Sequence, residues 1–516
     1  MGDMLIPIAI GLVLSFCIEQ LHSPRPQRAW LRHPADLLLH TGLWLILFLV
    51  EFLQFRRLWL AVCLSSTIFY VLVLINHAKF RALREPFIYQ DLEYFLDALK
   101  HPRLYLPFFG FWKIALCLAA VGVALWIGVT LETPLSATNT TEQVWIGCIA
   151  ILLFALALLL IGNLRKAALS FKPAQDFSQY GVLAMLWLYA RAERKSPPAE
   201  LAKYSTLIQN NPPSDPTHLP DTIVVQSESF FDPRRAFSNI DATVLTAFDQ
   251  ACRDSIKFGP LIVPAWGANT VRTEFEFLTG IDTAQLGIDQ FNPYQRCVQL
   301  GLPSIAHEFK KRGCRTVCMH PYPASFYQRD KIFPLLGFDA FIDIKSFESV
   351  TRSIGQSPYL SDQLLTDKVL ELFDQQTAQP LFIFVITMEN HGPLHLETMS
   401  AAESERWVQQ PLPTGCKDLP FYLRHLANAD QMIDRLIKHL SSLAHKSSQR
   451  PAQLLWYGDH VPVMPEVYDS MAMPDGQTEY FLWRSQDASQ QSQVDPQQRQ
   501  SPEALAVHQL ALELLK

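Results

Sequence analysis

LLWYGDH, residues Leu454–His460, is an apolar run that ends abruptly on an acid and an imidazole. Three other stretches share its form. TIVVQ (Thr222–Gln226) leads into Ser227-Glu228-Ser229, RTVCM (Arg315–Met319) into His320, and LFIFVIT (Leu381–Thr387) into Glu389-Asn390-His391. Short β-branched runs alternating with longer amphipathic segments indicate an α/β domain from Asp221 onward. In open α/β sheets, sites form at the carboxyl ends of the strands. One polar strand end would mean little; four predict a common pocket.

Glu228, Asp459 and His460 are ligand types that suit a divalent cation such as zinc or manganese, and two carboxylates with one imidazole leave a coordination position open. Read singly, Glu228 is a surface turn and Asp459-His460 a capping acid beside a packed histidine. Convergence of distant strand ends outweighs those readings. GANTVRTEFEFLTG (Gly267–Gly280) adds a short helix, opened by its Asn-Thr pair and closed by Gly280. Thr270 and Thr273 are capping residues by type. A helix start also offers free N–H groups to a phosphate, and a cation would activate a hydroxyl there. Thr270 is therefore the candidate nucleophile, with Thr273 as the alternative and Arg272 in support.

Arg329 can hold a phosphate through two parallel hydrogen bonds, against a plain reading as a surface arginine. His391 follows a buried strand and precedes Gly-Pro. It could protonate a leaving alkoxide or bind hydroxyls, or be a hydrogen-bonded core histidine, and His320 has the same choices. His307 and His395 lack a strand-end context and read as surface or packing residues.

At 516 residues the chain suggests two to three units. Its charged fraction is 18%, below the usual ~25%, and the deficit is concentrated in the N-terminal third. A net charge of −6 without a basic tract gives no reason to expect nucleic-acid binding. Cys17, Cys63, Cys117 and Cys148 lie in apolar segments. The remaining five cysteines form no CxxC pair and are odd in number, which argues against a disulfide framework.

Five segments approach the ~20 apolar residues of a membrane span: Met4–Ile18, Ala35–Leu53, Leu58–Ile75, Pro107–Leu131 and Val144–Ile161. The second and third, separated by little more than Arg56 and Arg57, form a tight hairpin. FSQYGVLAMLWLYARAERK reads as a helix lying at the membrane interface. NNPPSDPTHLP (Asn210–Pro220) is a Pro-rich linker, and the Gln-rich Ser485–Glu503 a solvated loop. Basic residues (Arg25, Arg28, Arg32; Lys79, Arg81, Arg84) cluster after the first and third segments. By the positive-inside rule those loops, and with five spans the C-terminal domain, are cytoplasmic.

The chain resembles the lipoteichoic-acid synthase and phosphoglycerol transferase family, within the alkaline phosphatase and sulfatase superfamily. QSESFFD (Gln226–Asp232), ANTVRTEFEFLTG, MHPYPASFYQRD (Met319–Asp330), MENHGP (Met388–Pro393) and YGDH occur in the family's order, and NHAKFRALREPFIYQDL (Asn76–Leu92) looks like its loop after the third span. The resemblance implies that Glu228, Thr270, Asp459 and His460 hold one divalent ion, manganese first, with zinc or magnesium as alternatives. Thr270 matches the attacking threonine. His320, Arg329 and His391 match head-group contacts, and Tyr327 stands where lipoteichoic-acid members carry Trp.

The implied architecture is an N-terminal all-α transmembrane bundle of about five spans (1–163) and an interfacial helix with linker (164–220). A sulfatase-like α/β catalytic domain (221–516) follows, with a central mixed sheet flanked by helices. The implied protein sits in the cytoplasmic membrane with its catalytic domain outside, which overrules the charge count. It would move phosphoglycerol from phosphatidylglycerol to a glycan or polymer hydroxyl. Phosphoethanolamine transfer and phosphodiester hydrolysis are the alternatives, and a non-catalytic membrane scaffold is a further reading. Sulfate-ester hydrolysis is disfavoured, because NTVRTE lacks the C/S-x-P-x-R context of a formylglycine.

Overall fold

The computed structural model describes residues 2–93, 111–135, 140–195, 197, 200–209, 219–347, 357–375, 379–394, 397–444, 450–485 and 501–516. His395, most of the Pro-rich linker, most of the Gln-rich stretch and residues 107–110 of the fourth apolar segment lie outside these. The chain folds as two compact units, Met1–Lys195 and Ser196–Lys516.

The first unit is helical: α1 (Gly2–Glu19), α2 (Pro34–Phe55), α3 (Leu58–Leu83), α4 (Phe111–Leu131), α5 (Thr141–Asn163), α6 (Pro173–Tyr180) and α7 (Val182–Glu193). Among the described residues, α2, α3 and α5 are long and apolar enough to cross a membrane; Met4–Glu19 and Leu118–Leu131 are shorter apolar helices. The expected count of five is thus met in full length by three. The α2–α3 hairpin is as tight as expected, with Arg56 in the left-handed region at φ 57°. Lys79, in the motif after the third apolar segment, pairs with Glu85 and Asp91, both at 2.7 Å. The expected interfacial helix is two helices. Gly181, at φ +76°, breaks it by leaving the helical region, and a β-carbon there would meet the Arg32 guanidinium and Glu19.

The second unit is built on an eight-stranded sheet: β1 (Asp221–Ser227), β2 (Lys257–Ile262), β3 (Arg315–Met319), β4 (Ala340–Ile342), β5 (Leu381–Ile386), β6 (Ala452–Gly458), β7 (Thr478–Arg484) and β8 (Leu505–Ala506). Its order is β4-β3-β5-β1-β6-β7-β2-β8, with β7 antiparallel to both its neighbours and the other pairings parallel. The four sequence runs with polar ends are β3, β5, β1 and β6, adjacent and parallel, so their carboxyl ends share one edge. Every residue of β1, β5 and β6 is buried. Such near-continuous apolar runs belong to strands covered on both faces.

Alternate side chains serve the two faces. Ile223, Val225, Ile383, Leu454 and Trp456 pack with the long helix α9 (Asp418–Ala444), through Tyr422, Leu423, Leu426 and Ile433. Val224, Phe382, Phe384, Leu455 and Tyr457 pack on the opposite face with α8 (Thr270–Thr279) and the C-terminal α10 (Val507–Leu515). On α8, Phe275, Phe277 and Leu278 are fully buried. At roughly 1.5–3 kcal/mol for each such side chain, these hold the helix, and with it Thr270, against the sheet. The second unit's cysteines, Cys252, Cys297, Cys314, Cys318 and Cys416, are all free thiols.

Strand register builds the edge where the ligand types meet. Ser227 of β1 lies opposite Gly458 of β6, so the next residues, Glu228 and Asp459, emerge side by side. The chain after β1 folds back at Ser229 (φ 55°) and passes directly over Gly458. A β-carbon on Gly458 would lie 1.8 Å from the Phe230 carbonyl oxygen, a backbone atom that cannot swing aside. Gly458→Ala should therefore lower stability by about 1–3 kcal/mol, the cost of overpacking. Thermal unfolding of the purified full chain in detergent reads this directly, and an unchanged Tm would refute the close approach.

Candidate active site

Glu228, Asp459 and His460 are buried, and their ligand atoms all lie within 4.8 Å of one another. His460 Nε2 is 3.3 Å from Asp459 Oδ2, 3.7 Å from Glu228 Oε1 and 3.4 Å from Thr270 Oγ1. The imidazole orientation follows from its other nitrogen. Nδ1 is 3.1 Å from the Val461 carbonyl, and a carbonyl only accepts, so Nδ1 carries the proton and Nε2 presents a lone pair.

Four electron-rich atoms thus converge on one point. Asp459 Oδ2 is buried without a hydrogen bond, a costly condition for a carboxylate oxygen. Burial, then the adjacent Asp459 carboxylate, push Glu228 up to about 8. These are the features of a cation site. A tetrahedral ion with bonds of ~2.0–2.2 Å separates its ligands by roughly 3.3–3.6 Å, close to the spacings here. The donor set of carboxylates, imidazole and hydroxyl fits a divalent ion.

Neighbouring groups hold the ligands in place. Ser229 N–H donates to Asp459 Oδ1 (2.8 Å), and its hydroxyl to Glu228 Oε1 (2.8 Å). Glu228 N–H donates to Thr387 Oγ1 (2.9 Å), at the end of β5. Thr273, the alternative nucleophile, gives its hydroxyl to the Asp459 carbonyl (2.8 Å) and is fully buried, so it braces the β6 end. Neither threonine caps the helix. The N-cap is Asn269, left-handed at φ 65° and making no side-chain cap bond, which frees Thr270 Oγ1 to face His460. Arg272, between them, stacks over Phe291 at 5.2 Å.

Arg329 is buried and not a surface arginine. Its Nε and Nη2 donate to Glu274 at 3.1 and 2.8 Å, while Nη1 is buried without a partner. One edge of the guanidinium is spent inside the protein, and the Nη1 end remains for a phosphate. Glu274, which also accepts from Tyr294 (2.6 Å), is a site residue that motif reading passed over. The signal was present: Glu274 lies four residues after Thr270, on the same helix face. Tyr327 takes a left-handed backbone (φ 54°) and sets its ring 5.2 Å from the Arg329 guanidinium.

His320 is buried, its Nδ1 3.1 Å from the Ile386 carbonyl. Burial and then Arg329 hold it well below the usual histidine range. His391 is half-buried, with Nδ1 2.7 Å from the Gly392 carbonyl, and burial likewise lowers it. Both are therefore neutral imidazoles presenting Nε2 as an acceptor. His307 bonds Ser304 (3.0 Å) at a helix start, a packing role as read.

Glu389 does not join the triad, contrary to the single pocket predicted for all four strand ends. It accepts from Asp362 N–H (2.6 Å) and Asn428 Nδ2 (2.6 Å), and pairs with His425 Nδ1 (2.9 Å). His425 Nε2 meets Glu397 at 3.0 Å. Burial alone would lower His425, but the bonds to Glu389 and Glu397 outweigh it and raise it to about 9.

Adjacent parallel strands β1 and β6, ending on a buried Glu–Asp–His cluster beside a helix-start threonine, fit the alkaline phosphatase and sulfatase superfamily. The chain belongs to the Sulfatase family, whose profile matches residues 220–510, more than half its length. It is 26% identical over 439 residues to the capsular polysaccharide biosynthesis protein RkpI of Rhizobium meliloti (strain 1021), covering 81% of this chain and 76% of that protein. A putative cyclic beta-1,2-glucan modification protein of the same organism is 29% identical over 269 residues, 52% of this chain and 40% of that one. Among solved structures, the lipooligosaccharide phosphoethanolamine transferase A of Neisseria meningitidis superposes with a TM-score of 0.54. At 14% identity it covers 93% of this chain and 94% of its own, and shares the fold.

His425 makes a measurable contribution to pH dependence. Its folded pKa is raised above the ordinary ~6.5, so its stabilisation is complete below about pH 6.5 and lost as pH rises through about 9. His425→Gln should therefore lower the Tm of the full chain more at pH ~6 than at pH ~9.5. An equal drop at both would show that the imidazolium is absent.

Proposed function

We propose that the chain is a membrane-bound, divalent-metal-dependent transferase that moves phosphoglycerol from phosphatidylglycerol to a hydroxyl of a glycan or polymer. The observation that carries this reading is the Thr270 hydroxyl facing His460 Nε2 at 3.4 Å, inside a ring of ligand atoms. Glu228, Thr270, Asp459 and His460 are assigned to hold the ion, with manganese as the first choice. When bound, a divalent ion supplies positive charge that stabilises negative charge developing on phosphoryl oxygens.

The chain's own groups account for the rest. Thr270 Oγ attacks phosphorus, the bond to the diacylglycerol oxygen breaks, the threonine proton ends on that oxygen as diacylglycerol leaves, and a glycerophospho-threonine forms. The Nη1 end of Arg329 holds a phosphoryl oxygen, oriented by Glu274. His320 and His391, neutral with Nε2 as acceptor, receive head-group hydroxyls, and His391 takes the proton from the incoming hydroxyl in the second step. Tyr327 lines the head-group side. Two displacements at phosphorus replace one difficult transfer. The relatives named for capsular polysaccharide and cyclic β-1,2-glucan favour a glycan as acceptor.

The division of labour we assign is a membrane part through residue 163, a connecting part to residue 220 and a catalytic part beyond it. With all five apolar helices crossing the cytoplasmic membrane, the N-terminus is cytoplasmic and the catalytic part extracytoplasmic. There it faces lipid head groups that never leave the bilayer.

Thr270→Ala should reduce diacylglycerol release from labelled phosphatidylglycerol at least about a thousandfold; wild-type release would sink the nucleophile assignment. Mass spectrometry of the Thr270 peptide after exposure to mixed lipids should show added phosphoglycerol, whereas phosphoethanolamine would transfer the reading to that donor. Elemental analysis of the full chain should find one divalent ion, lost in Asp459→Ala; equal metal content in both would remove the site.

A further inference from the structure

A second cavity lies where β5 leaves the sheet. Its volume is about 530 Å³, within the range of small-ligand sites. Glu389, Glu403, Arg406, Trp407, Asn428 and Gln431 contribute to its walls. The chain itself sets its distance from the ligand cluster. Thr387, whose hydroxyl accepts the Glu228 N–H, stands two residues before Glu389, and two residues span at most ~7 Å. His391 stands two residues beyond Glu389, so the cavity borders the segment that carries both.

Most of its charges are paired with each other. His425 lies between Glu389 and Glu397, and Arg424 pairs with Glu397 and with Glu403. Arg406 lies over the Trp407 ring at 4.8 Å. Arg424 and His425 are thus already matched to carboxylates, which leaves Arg406 as the exposed cation of the walls. What the walls offer is planar groups that donate and accept in pairs: two amides, a carboxylate and a guanidinium, beside an indole. Such groups match adjacent hydroxyls.

We propose that this cavity binds the acceptor, a polyhydroxylated chain, and delivers one of its hydroxyls to the phospho-threonine. The proposal rests on the transfer reading above. In the step concerned, the acceptor oxygen bonds to phosphorus, the bond between phosphorus and Thr270 Oγ breaks, and the proton lost by the acceptor ends on Thr270. Two sources carry this chemistry, a neutral sugar chain and a polyglycerol phosphate.

The test uses the full chain in detergent with phosphatidylglycerol as donor and two acceptor probes, a neutral gluco-oligosaccharide and a glycerol phosphate oligomer. Arg406 and Gln431 are exposed, so Arg406→Ala and Gln431→Trp leave the core intact while the first removes a donor and the second fills the space. Each should raise the KM of one acceptor about tenfold relative to the donor KM, and the acceptor that responds identifies the source. Unchanged acceptor KM in both variants, or donor and acceptor KM rising together, overturns the subsite. So does a wild-type enzyme that releases diacylglycerol but transfers to neither probe. A wild type that releases no diacylglycerol and forms no Thr270 adduct overturns the transfer reading, and the subsite with it.

Discussion

The site depends on the register between β1 and β6. Ser227 lies opposite Gly458, and only in that register do Glu228 and Asp459 leave the sheet as neighbours. The pairing is locked from both faces by buried apolar side chains, Val225 and Trp456 on one, Val224 and Leu455 on the other. A slip by one residue would exchange the faces of an entire strand. The absence of a β-carbon at Gly458 then admits the Phe230 carbonyl, which lets the chain after β1 turn back and place Ser229 over both carboxylates.

Bringing two buried carboxylates together is costly, and the surroundings show how the cost is met. Ser229, Thr387 and Thr273 bond the ligand residues or their backbone, fixing geometry without neutralising charge. No arginine or lysine pairs with the cluster among the described residues; the buried guanidinium of Arg329 is committed to Glu274 on one edge. Charge neutralisation is left to a bound cation, which is why the arrangement reads as a binding site and not as a structural ion pair. The Glu389–His425–Glu397 group shows the contrasting solution, where an imidazolium between two carboxylates, with Arg424 on Glu397, completes the balance from the protein's own side chains.

The parts legible in the sequence were local. Apolar runs of strand length, each ending on a polar residue, identify β1, β3, β5 and β6 and their shared edge, because burial on both faces demands continuous apolar character. Gly280 closes α8 in the left-handed region, as its position indicates. Other features depended on partners distant in the chain. Thr270 and Thr273 looked alike as capping residues, and Glu389 looked like a ligand. Glu274 was hidden inside a motif read for its threonines. The expected interfacial helix breaks at Gly181, whose backbone leaves the helical region where Arg32 and Glu19 occupy the space a side chain would need.

The sequence by itself determined the α/β class of the second unit, the apolar helices of the first and the residue types available at each strand end. These follow from periodicity and from the chemistry of single side chains. Tertiary structure decided which of those residues meet. Thr270 faces His460 while Thr273 turns to the Asp459 carbonyl, Arg329 divides its guanidinium between Glu274 and an unpartnered end, and Glu389 leaves the cluster for His425. Each outcome depends on distances of a few ångströms between strands and helices far apart in the chain. Those distances are set by sheet register and core packing, which no local pattern encodes.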